Sequence, residues 1–323
     1  MVGKPPVMLY LKPHHSHKAM GEAVGAEFVE LDRGGVLSRI RTAKNLDLGD
    51  RTVITEGGKP LFQAAWMKKF GNCGRVIHLA ADETLMNIVR KLPHYRQRDR
   101  LAHWWCHRHV DGVLAISPQL TAEARAIGID NVRTIHPFPT PKKWEQLGNI
   151  EPDYNSNQVL VVGSNVAKNG LNILQDIADE INLDIEIDVA GPQTKELSSK
   201  NVTGHGFVPE SEFYNLFRKS AAFLLPARSQ AFALSPIEAM RAGIPPVVTV
   251  ETGCQAYIGK AAPELVNGRR PDLMAESLEW ALENPDVADR VNKIADYFNP
   301  TQGIKLFRTA YKQVLKQAEA NSS

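Results

Sequence analysis

The sequence predicts an α/β protein made of two Rossmann-like domains, whose parallel sheets face a central cleft. The chain has 323 residues, which is enough for two domains of ordinary size. Short apolar runs alternate with helical stretches in both halves, as in parallel sheets with right-handed crossovers. Between the halves, residues 137–157 are rich in Pro, Asn and charge and lack apolar periodicity, so we interpret them as a linker.

Three segments follow from this pattern. Residues 1–150 form an N-terminal Rossmann-like domain, and residues 151–300 form a second one. Residues 301–323 form a final helix, whose apolar side chains recur at helical spacing.

In the N-terminal half, short apolar runs bounded by turn residues are predicted as strands. These runs are 7–11, 27–31, 52–55, 75–80, 112–117 and 132–136. The helical stretches between them are 18–26, 38–45, 60–70, a region from 82 to about 109, and 118–127.

The C-terminal half repeats the alternation. Its predicted strands are 158–162, 185–190, 202–208, 221–226 and 247–250. Its predicted helices are 170–181, 209–219, 235–242, 271–283, 286–298 and 301–320.

Composition bounds the class of protein. Apolar residues make up 43% and charged residues 23% of the chain, as in soluble globular proteins. A net charge of +2 gives no reason to expect nucleic acid as a partner. The three widely spaced cysteines indicate reduced thiols in a cytoplasmic setting, and neither a signal peptide nor a membrane span is expected. A position at the membrane surface stays open.

The stretch 228–250 is the part around which the second half is organised. It follows the strand 221–226 and contains Ser235-Pro236, a helix start with Ser as the cap. Glu238 has capping-box spacing from Ser235, and Gly243 ends the helix. A helix that starts at the carboxyl end of a parallel strand presents free amides and a positive dipole, which favours an anion.

This stretch resembles the donor-binding signature of GT-B glycosyltransferases, in particular the large retaining family four. The signature has two glutamates with seven residues between them, followed by a Gly-x-Pro turn. Glu238 matches the second glutamate and 243–245 matches the turn, whereas the first glutamate is replaced by Gln230. The resemblance has good spacing from about residue 159 to 300 and extends loosely back to about residue 75.

The resemblance implies a nucleotide-sugar donor, such as a UDP- or GDP-sugar, as substrate, with no cofactor and no metal. Glu238 would accept both ribose hydroxyls, although a glutamate that only caps the helix is the alternative. The amides of Ala233, Leu234 and Ser235 would meet the diphosphate.

The loop after the strand 158–162 is a second phosphate candidate, because its small residues let the backbone approach an anion. In the family this loop carries an Arg after the first Gly and a Lys before the next Gly. Here Ser164 follows Gly163, and Asn169 separates Lys168 from Gly170. We expect Gly163, Ser164 and Lys168 to contact the phosphates; a purely structural turn is the alternative.

Two side chains before the helix bear on catalysis. Gln230 keeps the hydrogen-bonding groups of the family's glutamate without its charge, so it either orients the transferred sugar or marks weakened activity. Arg228 either replaces the missing loop arginine as a phosphate clamp or is a solvated surface residue. By resemblance, Gly206 and Phe207 lie against the nucleobase, while His205 is either functional or a loop residue.

The N-terminal half offers histidines. His78 is expected at the end of the strand 75–80, facing the cleft near the acceptor and donor sugar, with a structural role as the alternative. Asp82 and Glu83 fit a helix start. Three further histidines lie where relatives have the acceptor loop, without the partners of a typical zinc site: His14, His15 and His17.

Residues 90–109 combine six Arg or Lys with one Asp and interleaved aromatics. This pattern suits an anionic bilayer surface or a phosphorylated acceptor, and a solvated basic face is the alternative.

The resemblance therefore implies a retaining, metal-independent hexosyltransferase. Its catalytic centre would contain Lys168, Gln230 and His78, and a glycan, lipid-linked or other small acceptor would bind the N-terminal domain. A non-catalytic nucleotide-sugar-binding or partner protein of the same fold is the alternative. Donor turnover, as opposed to binding alone, separates the two.

Overall fold

The computed structural model describes residues 4–31, 34, 36–46 and 48–321. Two compact units divide the chain. The first comprises the residues up to Pro137 together with those from Thr301 onwards, and the second is Phe138–Pro300. The first domain therefore ends earlier than the predicted boundary at residue 150, and the final helix groups with it.

The N-terminal domain has a six-stranded parallel sheet in the order β2-β1-β3-β4-β5-β6. The strands are β1 Val7–Tyr10, β2 Glu27–Glu30, β3 Val53–Glu56, β4 Val76–Ala80, β5 Gly112–Ala115 and β6 Val132–Thr134. The helices are α1 His15–Ala23, α2 Val36–Asn45, α3 Gly58–Phe70, α4 Thr84–Arg90, α5 Gln97–His107 and α6 Pro118–Ala126. The predicted helical region from 82 to 109 is thus two helices, because Pro93 lies in the loop between them.

The C-terminal domain also has a six-stranded parallel sheet, in the order β12-β11-β10-β7-β8-β9. Its strands are β7 Gln158–Val162, β8 Glu186–Ala190, β9 Val202–Gly206, β10 Ala222–Leu225, β11 Pro246–Thr249 and β12 Val266–Asn267. Its helices are α7 Pro141–Gly148, α8 Val166–Asn169, α9 Leu174–Glu180, α10 Glu210–Lys219, α11 Ser235–Arg241, α12 Gln255–Ala261, α13 Pro271–Glu283 and α14 Val287–Ala295, and α15 Pro300–Ala320 follows them. The two sheets confirm the predicted pair of Rossmann-like domains.

The strand order locates the ligand crevice of each domain. In an open parallel sheet, ligands bind outside the carboxyl ends of the strands at the point where the strand order reverses. In the N-terminal sheet the reversal lies between β1 and β3, and in the C-terminal sheet it lies between β7 and β10. The loops that follow these four strands are therefore the first places to look for a site.

The linker prediction for residues 137–157 is wrong in part, because α7 lies within it. Thr140 caps this helix by accepting a hydrogen bond from the Lys143 amide (3.2 Å), and Pro141 occupies the first turn. Trp144 and Leu147 are buried, and α7 packs on α11. Burial of this apolar face makes α7 part of the C-terminal domain.

The final helix α15 packs against the N-terminal sheet. The Asn131 side chain donates a hydrogen bond to the Val314 carbonyl (2.9 Å), and Phe307 and Val314 are fully buried. A side chain added at Gly112 in β5 would lie 2.3 Å from Val314. Close packing of the helix on β5 therefore requires a glycine there.

Cys73, Cys106 and Cys254 are free and buried. Burial raises the pKa of Cys73 to about 11 and that of Cys106 to about 12, so both are thiols at neutral pH. Among the described helices, none combines the length and the hydropathy needed to cross a membrane.

Candidate functional site

The loop after β7 is closed by its own side chains. The carbonyl oxygen of the Asn169 side chain accepts hydrogen bonds from the amides of Ser164 (3.2 Å) and Asn165 (2.9 Å). The Asn165 side chain in turn accepts a hydrogen bond from the Lys168 amide (2.8 Å), which caps the short helix α8. Asn169 therefore takes up the amide of Ser164, a residue that the sequence predicted as a phosphate contact, together with the amide of Asn165.

Close packing brings this loop against the end of β10. Gly170 has a left-handed backbone (φ 73°), and an added Cβ would lie 1.8 Å from the Pro226 carbonyl oxygen. The Arg228 amide donates a hydrogen bond to the Lys168 carbonyl (3.0 Å). The loops after β7 and β10 are thus held together at the reversal point of the sheet. This close approach requires a glycine at position 170.

Cationic side chains collect beside these loops. Lys168 and Arg228 are exposed. Arg269 donates from Nε to the Pro226 carbonyl (3.1 Å), and its pKa is lowered by partial burial and by the nearby Arg228. Repulsion between two arginines is relieved by a bound anion, so the position of Arg228 suits the clamp role better than that of an isolated surface residue.

The turn before α11 exposes three consecutive amides. Ala233 has a left-handed backbone (φ 73°), which is uncommon for a residue with a Cβ. Within the part of the chain that the structure describes, the amides of Ala233, Leu234 and Ser235 have no hydrogen-bond acceptor. All three residues are only partly buried. These amides can therefore donate to an anion at the start of the helix.

The predicted capping box at Ser235 is wrong. Helix α11 begins at Ser235 itself, and the capping position is Leu234, which has helical backbone angles and offers no side-chain acceptor. By contrast, Ser117 and Thr140, which also precede prolines, are extended and cap their helices. The left-handed turn at Ala233 causes the difference, because it brings the chain into the helix one residue earlier.

The Glu238 carboxylate is 6% exposed and forms an ion pair with Lys143 (2.7 Å) instead of capping the helix. Lys143 also lies over the ring of Phe213, 4.4 Å from its centroid. The shortest contact of the ion pair is made by Oε1 of Glu238. A carboxylate has about four lone-pair sites on its two oxygens, so Glu238 can accept a hydroxyl in addition to the ion pair.

Polar contacts tie α7 to α10 and α11. Lys142 pairs with Glu210 (2.8 Å), and Tyr214 donates a hydrogen bond to Gln146 (2.6 Å). The guanidinium of Arg241 lies 4.6 Å from the centre of the Trp144 ring. These contacts hold Lys143 beside Glu238, so the segment once interpreted as a linker supplies a side chain of the candidate site.

The backbone of Gln230 is fixed on both sides by the turn after β11. Its amide donates to the Glu251 carbonyl (3.1 Å), and its carbonyl accepts from the Gly253 amide (2.9 Å). Its side-chain amide has no hydrogen-bond partner in the described part of the chain. A fixed backbone with an unengaged amide suits a residue that orients hydroxyl groups.

The turn after β9 presents an exposed ring. Gly206 is left-handed (φ 69°), and the Phe207 side chain beyond it is 82% exposed. His205 forms a short hydrogen bond to Asp188 in the neighbouring strand (2.5 Å). His205 is therefore held in the sheet, whereas Phe207 is the free aromatic surface of this turn.

The expected position of His78 is wrong. The residue lies in the middle of β4, fully buried, and its Nδ1 is 2.9 Å from the Thr55 hydroxyl. Burial, as the larger cause, and the neighbouring His107, as the smaller one, lower the pKa of His78 to about 3. The ring is therefore neutral. A buried neutral ring within the sheet cannot contact an acceptor or donor sugar unless the strand moves.

The histidines at the N-terminal reversal point are arranged around Glu56. His17 is buried and its Nδ1 lies 2.8 Å from Glu56 Oε1, which also accepts the His14 amide (3.3 Å). The rings of His14 and His15 are 4.0 Å apart. Among the described residues, no group of three or more His, Cys, Asp or Glu is placed to hold a metal ion.

The Asp82 side chain binds the first residues of two helices in the N-terminal domain, α3 and α4. Its carboxylate accepts hydrogen bonds from the Gly58 amide (2.6 Å) and the Thr84 amide (3.0 Å). Burial opposes ionisation, but the hydrogen bonds from Thr84 and Gly58 leave the pKa of Asp82 lowered. Asp82 is therefore a charged cap for α3 and α4, and Glu83 occupies the capping position of α4 without capping the helix through its side chain.

Sequence reasoning missed Lys143 and misjudged Asn169. Lys143 lies in a stretch that was interpreted as a linker, although Thr140-Pro141 resembles the other helix starts and Trp144 and Leu147 have helical spacing. The role of Asn169 has no comparable sequence signal, because it depends on the path of the loop.

Comparisons with known proteins identify a family match within the C-terminal domain and solved structures of the same fold. Residues 142–298 match the family model for glycosyl transferases group 1. A sucrose-phosphate synthase from Thermosynechococcus elongatus has a TM-score of 0.76 at 14% identity, covering 97% of this chain and all (100%) of that one.

Two further solved structures have the same fold. HepE from Anabaena, solved in complex with UDP-glucose, has a TM-score of 0.72 at 13% identity, covering 96% of this chain and 99% of that one. A glycosyltransferase from Rickettsia africae has a TM-score of 0.67 at 13% identity, with 96% and 90% covered. A search of curated protein sequences found no match. Residues 142–298 of this chain therefore match glycosyl transferases group 1, and the chain has the GT-B fold of the solved structures.

Proposed function

We propose that the protein transfers a sugar from a nucleotide-sugar donor, bound by the C-terminal domain, to an acceptor bound by the N-terminal domain. The observation that carries the proposal is the turn at Ala233–Ser235. Its unpaired amides lie at the reversal point of the C-terminal sheet, within the part of the chain that matches the family. A diphosphate is the anion that such a site in this family favours.

Each candidate residue has a role in this proposal. The amides at 233–235 bind the diphosphate, with Lys168 and Arg228 adding positive charge as it departs. Glu238 accepts the ribose hydroxyls through its carboxylate, and Phe207 contacts the nucleobase. Gln230 orients the sugar. The mechanism retains the anomeric configuration. It needs no metal, because these cationic and amide groups stabilise the leaving diphosphate.

The acceptor remains a glycan, a lipid-linked sugar or another small molecule. His17 and Glu56 lie at the reversal point of the N-terminal sheet and are better placed for it than His78. A cytoplasmic location fits the three free, buried thiols. A peripheral position at the membrane surface belongs to the same proposal, through the exposed cationic and apolar residues of 90–109.

A thermal-shift screen with UDP-glucose, GDP-mannose and ADP-glucose tests donor binding, because a ligand that binds only the folded state raises its stability. We expect one of them to raise the Tm. Glu238→Gln should weaken that donor about ten-fold or more, since a hydrogen bond to a charged group contributes about 1.5–3 kcal/mol.

Lys143→Met is the matched control. It breaks the ion pair but keeps the Glu238 carboxylate, so donor affinity should change by less than about three-fold. Equal losses in the two variants would show that the pair is structural and that the ribose assignment is wrong. No shift with any nucleotide-sugar would contradict donor binding itself.

A non-catalytic nucleotide-sugar-binding protein is the second candidate, and the closed loop at Asn169 favours it. Amides that already donate hydrogen bonds to Asn169 stabilise the departing phosphate less as its negative charge grows during the reaction. Donor binding without transfer or hydrolysis across a broad acceptor panel would select this candidate. Turnover of the donor would exclude it.

A further inference from the structure

Helix α5 has an outward face with an unusual combination of side chains. Gln97, Leu101, Trp104 and Arg108 follow one another at spacings of four, three and four residues, so they form one line along the helix. Leu101 is 58% and Trp104 is 44% exposed. An ordinary surface helix turns its apolar residues toward the core and leaves polar ones outside.

The adjacent tryptophan shows that this exposure is not a general property of the helix. Trp105 is partly buried against the core of the N-terminal domain, and its ring lies 6.2 Å from that of Phe62. Cys106 and His107, on the inward side, are buried. The helix therefore has a normal packed face, and Leu101 and Trp104 are additional apolar residues on the other side.

Cations surround the exposed apolar residues. The guanidinium of Arg108 lies 4.9 Å from the centre of the Trp104 ring. Arg96 and Arg98 are exposed at the start of the helix, and Lys91 is exposed in the loop before it. Across 90–109 there are six Arg or Lys against one Asp, although the whole chain has a net charge of only +2. Arg98, three residues before Leu101, and Arg108, four residues after Trp104, therefore flank the exposed apolar residues along the helix.

From this arrangement we infer that the outward face of α5, defined by Leu101, Trp104 and Arg108 with Arg98 beside them, binds the surface of an anionic lipid bilayer. Leu101 and Trp104 insert at the boundary of headgroups and acyl chains, where Trp is favoured because its ring is apolar and its N–H is polar. The arginines attract anionic headgroups, each strengthening partitioning about five-fold.

The position of the helix gives this binding a consequence for the acceptor, which rests on the proposed glycosyl transfer. The loop that leads into α5 lies at the acceptor edge of the domain, where His94 pairs with Glu83 (3.1 Å) just after β4. The start of α5 therefore lies at the carboxyl edge of the N-terminal sheet, whereas Trp104 and Arg108 lie near Asp111 and Asn131, which precede β5 and β6. An acceptor anchored in the bilayer would reach the carboxyl edge along the start of the helix, so a lipid-anchored acceptor is the class that we favour.

Vesicle flotation with the full chain tests the membrane surface. We expect the protein to bind vesicles of equimolar phosphatidylcholine and phosphatidylglycerol and to leave vesicles of phosphatidylcholine alone. Added salt should weaken binding, because it screens the arginines. Binding that is equal on the two vesicle types would contradict the role of charge, and absence of binding to both would overturn the inference.

Variants locate the contact. L101S/W104S should lower partitioning about ten-fold or more, and R98Q/R108Q should lower it by a similar factor. Tyr297→Ser is the matched control, because Tyr297 is an exposed aromatic residue (63%) of the C-terminal domain. Its binding should equal that of the wild type. Unchanged binding of L101S/W104S would show that another surface is responsible.

Two further measurements keep the outcomes separate. The Tm shift produced by a donor should be unchanged in L101S/W104S, so loss of vesicle binding can be distinguished from failure of the proposed function. Sedimentation velocity tests whether a second copy of the chain, rather than a bilayer, covers the outward face of α5. A concentration-dependent dimer that is lost in L101S/W104S would assign this face to a second copy of the chain and overturn the bilayer inference.

Discussion

The two domains have sheets of the same size, but the chemistry at their reversal points differs. The C-terminal point has small residues, unpaired amides and exposed cations, which suit a diphosphate. The N-terminal point has His17 held by Glu56 next to two more histidines. Two Rossmann-like sheets thus offer different ligands because the loops, rather than the strands, carry the binding groups.

The interiors differ as well. Of the ten histidines in the chain, every one except His205 precedes Pro137. His78, His107 and His136 are buried in the N-terminal domain, and burial lowers their pKa values to about 3, 4 and 4. The C-terminal domain buries apolar strands, such as β10, without a comparable group. The N-terminal domain should therefore be the one that is sensitive to acid.

The largest predicted effect is this pH dependence. An unfolded histidine has a pKa near 6.5, so between about pH 6.5 and 4 the unfolded N-terminal domain binds protons that the folded one excludes. Stability should be constant above about pH 6.5 and fall as the pH drops below it, by up to about 1.4 kcal/mol per pH unit for each buried histidine. Hydrogen exchange of each domain as a function of pH measures this separately.

Variants sharpen the comparison. His107→Asn keeps a donor toward the His103 carbonyl, which His107 Nδ1 now contacts at 2.7 Å, and removes one titrating ring. The slope for the N-terminal domain should fall by about 1.4 kcal/mol per pH unit. Ile77→Val is the control, because it costs about 0.5–1.5 kcal/mol at every pH without changing the slope. A C-terminal domain that is equally sensitive to acid would contradict the comparison.

A smaller effect is predicted at Asn169, which closes the C-terminal loop. Asn169→Ala leaves the amides of Ser164 and Asn165 without their acceptor and should cost about 1–2 kcal/mol of C-terminal stability. Donor binding should not weaken, because a phosphate can take up the same amides. Calorimetric titration with the donor found by the screen checks this.

Asn165→Ala is the matched control for that experiment. It removes the cap of α8 but leaves Asn169 in place, so it should destabilise the domain without exposing the two loop amides. Donor affinity that falls about ten-fold in Asn169→Ala would show that the closed loop is the binding conformation.

The smallest effect is predicted at Ala233. A left-handed residue with a Cβ costs about 1–2 kcal/mol, and glycine avoids that cost but loses about 0.4–1 kcal/mol through the freedom of the unfolded chain. Ala233→Gly should therefore stabilise the C-terminal domain by about 0.5–1 kcal/mol. Ala239→Gly, within α11, should destabilise it by about 1 kcal/mol. Chemical denaturation measures both, and a destabilised Ala233→Gly would mean that the turn is not strained.

The sequence predicted the fold better than the site, for physical reasons. Strands such as β4 and β10 are continuous apolar runs, and their alternation with helices specifies parallel sheets. His78 within β4 was misplaced because a polar residue in such a run suggests a strand end. Only the packing around Thr55 and His107 shows that it is buried.

The site depends on contacts between residues far apart in the chain. Ser235 fits a cap by its neighbours, but the left-handed turn at Ala233 moves the helix start. Glu238 fits a capping box, yet its partner Lys143 precedes it by almost a hundred residues. Local patterns can predict where such residues lie along an element, whereas their partners follow from the tertiary fold.

The central claim is that a nucleotide's phosphates bind at the reversal point of the C-terminal sheet. Hydrogen exchange of the intact chain with and without UDP, GDP and ADP tests it most directly. We predict that one nucleotide protects the amides of 230–238 and leaves those around His17 and Glu56 unchanged. Protection around His17 and Glu56 with none at 230–238 would contradict the claim.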